Sequence, residues 1–274
     1  MLQIPQVSLP KLIIFDFDNV MYHHTDKCNS RMLGVAGAVG HAYTGFNAEA
    51  VRQNHVRCWY AYKDGFQYMF QDEISYSDPS SGETRAIENP IKKEFRKRQY
   101  LMAHHSFESI LRNDVHGIKD TELPKLLDQL SQKTQICIAS HAVTKSLHMM
   151  IDRTGFHHKF LKHAFGMTCL GGEGWARKDD IDSGVYLWLC EKYGVDPSDA
   201  MMIEDTAKNL KGAHSNGLQT VFINWGREIE LEDRSYVDFN FNTTQHFLRH
   251  ALKHGFVAVR QRTIQKSPLI INTP

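Results

Sequence analysis

Two carboxylates, Asp16 and Asp18, close an apolar run in the stretch KLIIFDFDNVMY (11–22). The four residues Leu12 to Phe15 read as a strand buried on both faces. Charge at the end of such a strand is costly unless something compensates it. Further on, Ser140 follows the apolar run TQICIA (134–139), and Glu204 and Asp205 follow Ala200 to Ile203. Lys178 falls in the loop ahead of the helix leading into that last run. In an open α/β sheet, ligands bind beyond the carboxyl ends of the strands, where these side chains gather. Carboxylates converging on one edge raise one another's pKa. A hard divalent cation removes the conflict, and Mg²⁺ suits one or two carboxylates with phosphate oxygens and water. One carboxylate can then act as nucleophile, while Ser140 and Lys178 hold non-bridging oxygens during phosphoryl transfer. Singly, each residue has an ordinary explanation, since strand-end acids often cap helices and loop lysines are usually solvated. The joint order D-x-D, Ser, Lys, E-D carries the specificity.

Such a site needs parallel strands to hold it. From about residue 120, strand-like runs alternate with helical patterns: helix 121–133, strand 134–139, helix 143–153, strand 164–169, helix 181–193, strand 200–203, helix 207–215, strand 219–223 and helix 245–253. This alternation predicts an α/β fold with a parallel sheet and helices on both faces. Residues 25–115 break the pattern. They are polar and aromatic and are predicted mostly helical, interrupted by a turn-rich stretch, SYSDPSSG (75–82). The organisation expected is one α/β core from 1–24 and 116–274, with a helical domain, 25–115, inserted after the first strand. Gly34, Gly37 and Gly40 (GVAGAVG) make no dinucleotide fingerprint and are assigned to helix packing. Residues 260–274 are weakly patterned.

Composition narrows the function classes. Hydrophobic residues make up 42% of the 274 and charged residues 23%, as in ordinary globular proteins. A net charge of +1 provides no field to recruit nucleic acid polymers or a membrane surface. The five cysteines never stand in C-x-x-C spacing, which argues against a disulfide framework and a zinc site and fits a reducing compartment. The 16 histidines lack H-E-x-x-H spacing and are assigned surface and capping roles. No apolar run is long enough to span a bilayer, and MLQIPQVSLP does not read as a secretion signal, so a cytoplasmic location is expected.

These motifs resemble those of the haloacid dehalogenase superfamily of phosphatases, across nearly the whole chain. FDFDNV (15–20) is similar to its first motif, Ser140 to the second, Lys178 to the third and IEDTAKN (203–209) to the fourth. The resemblance implies a Rossmann-like core with an inserted α-helical cap of the C1 type. It implies Asp16 as nucleophile, Asp18 as general acid/base, Ser140 and Lys178 on the phosphate, and Mg²⁺ on Asp16, the Asp18 carbonyl and Asp205. Within the superfamily the closest likeness is to pyrimidine 5′-nucleotidases, through DNVMY (18–22), EDTAKNLKGAHSNGL (204–218) and RCWYAY (57–62). Asn19, Tyr22 and His141 are the substrate-binding candidates. The sequence departs from the pattern at several places. Asp179 replaces the usual Pro, leaving Arg177 as an alternative phosphate ligand, and Asn209 replaces a second acid, which Glu204 would supply.

The function expected is therefore Mg²⁺-dependent hydrolysis of a small phosphomonoester, with a pyrimidine nucleoside 5′-monophosphate as first choice. A sugar-phosphate phosphatase or a phosphomutase shares all four motifs and is the alternative. A dehalogenase would not need the acid at Asp18. A binding protein that lost the reaction would not need the intact quartet. The insert carries Trp59, Tyr60, Tyr62, Phe66 and Tyr68, which suit a hydrophobic core and, alternatively, base stacking.

Overall fold

In the computed structural model, the residues described are 7–22, 30, 34, 73–77, 84–88, 122–142, 144–153, 158–166, 178 and 184–257. The chain divides into two compact units, Met1–His23 with Ile118–Pro274, and His24–Gly117. Chain order gives β1 (Val7–Ser8), β2 (Leu12–Phe15), β3 (Glu73–Ser77), β4 (Thr84–Glu88), α1 (Leu123–Ser131), β5 (Gln135–Ala139) and α2 (Thr144–Arg153). There follow β6 (Ala164–Phe165), α3 (Val185–Tyr193), β7 (Ala200–Glu204), α4 (Leu210–Ser215), β8 (Gln219–Ile223), β9 (Phe239–Phe241), α5 (Thr244–His254) and β10 (Phe256–Val257).

Six strands of the first unit form one parallel sheet in the order β6-β5-β2-β7-β8-β9. Strand β2 lies inside it, and its four residues have no exposed surface. Their alternation divides the core. Leu12 and Ile14 join Val185 and Leu189 of α3 and Leu210 and Ala213 of α4 in one apolar cluster. Phe15 instead meets Phe247 of α5 edge-on, with ring centroids 6.0 Å apart. Helices thus cover both faces, as the apolar runs predict. Each such buried side chain contributes roughly 1.5–3 kcal/mol.

Register aligns the strand ends. Phe15 lies opposite Ile138 on one side and Ile203 on the other. One residue further along, Asp16, just past β2, stands level with Ala139 and Glu204, the last residues of β5 and β7.

The structure differs from the sequence-based expectations in several elements. Strand β6 has two residues, not the six expected at 164–169, and residues 167–177 lie outside those described. Strand β7 continues through Glu204, so that side chain belongs to the last strand residue rather than to the loop. The stretch 207–215 begins as a 3₁₀ turn, Ala207–Asn209, before α4. The small β1–β10 ladder and β9 were not predicted.

In the second unit, β3 and β4 pair as an antiparallel hairpin, with Ile74 opposite Ile87. The mostly helical reading of 25–115 does not include these two strands. The strands EISYS and TRAIE carry too few apolar residues to stand out, while DPSSG between them supplies turn chemistry. Residues 30 and 34 are helical. Gly34 is exposed, and a Cβ there would meet nothing within 4 Å, so close helix packing does not explain it. The aromatic group 59–68, Gly37 and Gly40, Arg177, Asp179 and the 260–274 tail lie outside the described residues.

Candidate active site

The loop after β2 is held by its own backbone. Met21 and Tyr22 N–H groups donate to the Phe17 carbonyl at 2.9 and 3.0 Å, and Asn19 N–H donates to Tyr22 O at 2.6 Å. Asn19 adopts φ +57°, a left-handed conformation that asparagine tolerates better than most residues. Thr244 at the start of α5 donates its hydroxyl to Val20 O at 2.5 Å. Asp16 N–H donates to Ile203 O at 2.9 Å, joining the first acid to β7.

Ser140, fully buried, caps the end of β5. Its N–H donates to Phe165 O at 3.0 Å, and its Oγ accepts from Ala142 N–H at 3.0 Å. The same hydroxyl donates to Asp18 Oδ2 at 3.4 Å. Close approach makes Gly166 necessary here. A Cβ at that position would lie 2.4 Å from Thr144 N, at the start of α2, and 2.5 Å from Ala142 O, in the loop that carries Ser140.

Lys178 occupies the centre. Its side chain is 1% exposed, with Nζ 2.5 Å from Asp16 Oδ1 and 2.6 Å from Glu204 Oε1. Nζ also donates to Ala139 O at 3.4 Å. Its backbone N–H donates to His141 Nε2 at 3.1 Å, which assigns the ring proton to Nδ1. Glu204 is held in turn by Thr206 N–H and Asn209 Nδ2, each at 2.8 Å. Asn209, at the position of the missing second acid, therefore anchors Glu204.

Electrostatics follow from burial. Desolvation, followed by the Glu204 charge, holds the Asp16 carboxyl well above the usual range despite Lys178. Asp205 is pushed up to about 8 by burial and then by Glu204, with Arg227 and Lys178 pulling the other way. Burial alone would lower the Lys178 pKa, but Asp16 and Glu204 together raise it, so the ammonium stays charged.

One carboxylate oxygen from each of Asp16, Glu204 and Asp205 lies within 4.8 Å of the others, all three residues buried. This hard, all-oxygen donor set fits Mg²⁺. Glu204 already accepts from Lys178, Thr206 and Asn209, so Asp16 and Asp205, whose ionisation burial opposes, gain most from a cation. The Asp18 carboxylate is not in this group and faces Ser140.

Because the cation must displace protons from Asp16 and Asp205, its binding should release protons. A carboxyl of raised pKa is increasingly ionised as pH climbs through that value. Mg²⁺ affinity should therefore rise from pH 6 toward pH 8, where Asp205 titrates. Calorimetry in two buffers of different ionisation enthalpy measures the release. Equal heats in both buffers at pH 7 would contradict it.

The sequence-based candidates are thus distributed as follows. Asp16, Lys178 and Glu204 are in direct contact, Asp205 joins them through the carboxylate group, and Ser140 links to Asp18. His141 holds the Lys178 backbone. Tyr22 is 8% exposed and stacks on Phe17 at 5.9 Å. Asn19 offers its carbonyl to Trp225 Nε1 at 2.8 Å. Sequence reasoning missed Trp225 and Arg227, whose Nη2 donates to Asp205 O at 2.7 Å. Both residues follow the carboxyl end of β8.

Among curated proteins no sequence matches the chain. Among solved structures, a phosphatase of the superfamily from Thermococcus onnurineus has a TM-score of 0.56 at 16% identity, over 91% of this chain and 100% of that one. A hydrolase from Pseudomonas syringae has a TM-score of 0.54 at 12% identity, over 89% and 97%. A β-phosphoglucomutase from Clostridium difficile has 0.50 at 15% identity, over 89% and 97%. At these identities the likeness establishes the fold. The family itself is established by sequence: the haloacid dehalogenase-like hydrolase profile matches residues 10–217, a span that runs from Asp16 through Asp205. The chain belongs to the haloacid dehalogenase-like hydrolases.

Proposed function

We propose that this hydrolase is a Mg²⁺-dependent phosphatase of small phosphomonoesters, with pyrimidine nucleoside 5′-monophosphates as its preferred class. The observation that supports it best is Lys178 held between Asp16 and Glu204 in a buried pocket of charge. Such an ammonium neutralises an attacking carboxylate and an incoming phosphate together.

In this proposal an Asp16 oxygen attacks phosphorus and the bond from phosphorus to the ester oxygen breaks. Asp18 gives the departing alkoxide a proton, then takes one from water as that water attacks the phosphoryl group. Phosphate leaves and the Asp16 carboxylate is regenerated. Ser140 and Lys178 bind the non-bridging oxygens, and Glu204 keeps Lys178 aimed. Asp16 and Asp205, with the Asp18 carbonyl, would hold Mg²⁺. When bound, Mg²⁺ supplies positive charge to the transferring group. Asn19, Tyr22 and His141 are proposed to shape the substrate side, His141 by holding the Lys178 backbone.

Every monoester presents the same phosphate, so discrimination is assigned to the inserted segment 25–115 and to residues 19–22. The likeness to pyrimidine 5′-nucleotidases in DNVMY and the fourth-motif stretch supports the nucleotide preference. A phosphomutase on the same fold supports the second reading, transfer within a sugar phosphate. A cytoplasmic setting fits the scattered cysteines. Among the described residues Cys137 and Cys190 are free and buried, and no helix is long and apolar enough to cross a membrane.

A screen of phosphate release over nucleotides, sugar phosphates and small phosphorylated acids tests the proposal. The expected order of kcat/KM places pyrimidine monophosphates first, with activity lost on chelation and regained with Mg²⁺. A ranking led by a hexose phosphate would remove the nucleotidase assignment and leave the phosphatase one. Full activity after exhaustive chelation would remove the metal.

A further inference from the structure

Asn224 to Arg227 form a turn that touches both acidic loops of the site. We infer that Trp225 and Arg227 are positioning residues that clamp the Asp16–Asp18 loop and Asp205 at the spacing a divalent cation requires. This inference rests on the Mg²⁺ reading above and names the residues that would set the affinity of that centre.

The turn is braced from below. Asn224 N–H donates to Phe241 O at 2.9 Å, and its Nδ2 donates to Asn240 Oδ1 at 2.8 Å, tying the turn to β9. Asn224 Oδ1 accepts from Gly226 N–H at 2.7 Å, and its carbonyl accepts from Arg227 N–H and Nε, both at 2.9 Å. These contacts fix the direction of the guanidinium.

From that base two arms reach the site. Trp225 donates its indole N–H to Asn19 O at 2.8 Å, across the sheet edge to the loop after β2. Arg227 Nη2 donates to the Asp205 carbonyl at 2.7 Å and to Asp205 Oδ2 at 3.4 Å. Residues at both ends of the indole bond are left-handed, with φ +57° at Asn19 and +52° at Trp225. A bulky residue rarely adopts this conformation, and backbone held this way concentrates at functional sites.

An ordinary surface ion pair does not account for the arrangement. The Arg227 side chain is 51% exposed and its contact with the carboxylate oxygen is the long one, so charge attraction alone is weak. The shorter bonds run to two backbone carbonyls, Asp205 O and Asn224 O. The side chain therefore joins the loop after β7 to the loop after β8. Trp225 joins the latter to the loop after β2, so hydrogen bonds tie the three loops together. Supporting groups of this kind typically change metal affinity by about 10–100-fold when removed.

The test is a calorimetric Mg²⁺ titration of the wild type, Arg227→Ala, Arg227→Lys and Trp225→Phe, with a thermal melt of each. Arg227→Ala should bind Mg²⁺ about 10–100-fold more weakly. Arg227→Lys should recover part of the loss, and Trp225→Phe, which keeps the ring and removes the N–H, should weaken binding without collapse of the melt. In turnover, Arg227→Ala should raise the Mg²⁺ concentration needed for half-activity more than it lowers kcat at saturating Mg²⁺. A variant that only loosened the fold would shift the melt and leave the affinity of its folded fraction unchanged. Affinity in Arg227→Ala within about twofold of wild type overturns the clamp and leaves the phosphatase proposal standing. A wild type that releases phosphate but takes up no Mg²⁺ overturns both the metal centre and the clamp. Should Arg227→Ala not fold, Arg227→Gln and Trp225→Phe decide, and wild-type affinity in both overturns the clamp.

Discussion

Asp16→Asn should stop phosphate release while leaving the protein folded. The change is nearly isosteric, so β2 and its register are kept, and the amide removes the oxygen anion that would attack phosphorus. Loss of a nucleophile in a concerted site costs on the order of 10⁴-fold or more. Stability should hold or improve, because burial opposes ionisation of Asp16 and the amide carries no charge. Lys178 would keep Glu204 as its partner at 2.6 Å. The check is phosphate release alongside a thermal melt. Retained turnover in protein free of contaminating phosphatase would end the mechanism.

Lys178→Met should be the most destabilising single change at the site. The ammonium is 1% exposed between two carboxylates that are themselves nearly inaccessible. Removing one partner of a buried ion pair typically costs about 3–5 kcal/mol, because the remaining charge is left uncompensated. Asp16, whose ionisation burial already opposes, can escape by protonating, which fixes the pH dependence. Groups whose folded pKa is raised bind protons in the native state, so the stability they leave is greatest at low pH and is lost as pH rises. Urea denaturation in chelator should therefore show a smaller deficit at pH 5 than at pH 8, and Mg²⁺ should recover part of it. A loss below about 1 kcal/mol at pH 8 would mean that Lys178 is solvated in the manner of a surface pair.

Legibility from sequence followed burial. The runs LIIF, QICIA, AMMIE and QTVFI are mostly apolar because both faces of each central strand are covered, and such runs stand out without structural knowledge. The edge elements lack that signal: β9 is the three-residue FNF, and β6 is only AF. The β3–β4 hairpin is polar on most positions, so its period of two was hidden among helical patterns. Among site residues, Asp16, Ser140 and Asp205 were readable because each directly follows a strand, and Asp18 because it lies two residues beyond Asp16. Lys178 was readable only through its order in the chain, and nothing in sequence reveals that it contacts Glu204 across 26 residues. Asn209 looks like a lost acid, yet its amide donates to Glu204 Oε1 at 2.8 Å. Trp225 and Arg227 act through backbone carbonyls, and a sequence has no mark for a carbonyl that needs a partner.

In the proposed reaction the phosphoryl group passes through the Asp16 carboxylate. Brief incubation of the protein with Mg²⁺ and a turned-over phosphomonoester carrying radiolabelled phosphate, followed by an acid quench, tests it directly. The predicted result is label on the peptide that contains Asp16, released by hydroxylamine and missing from the Asp16→Asn protein. Label on another residue, or none on the protein while phosphate is being released, would contradict it.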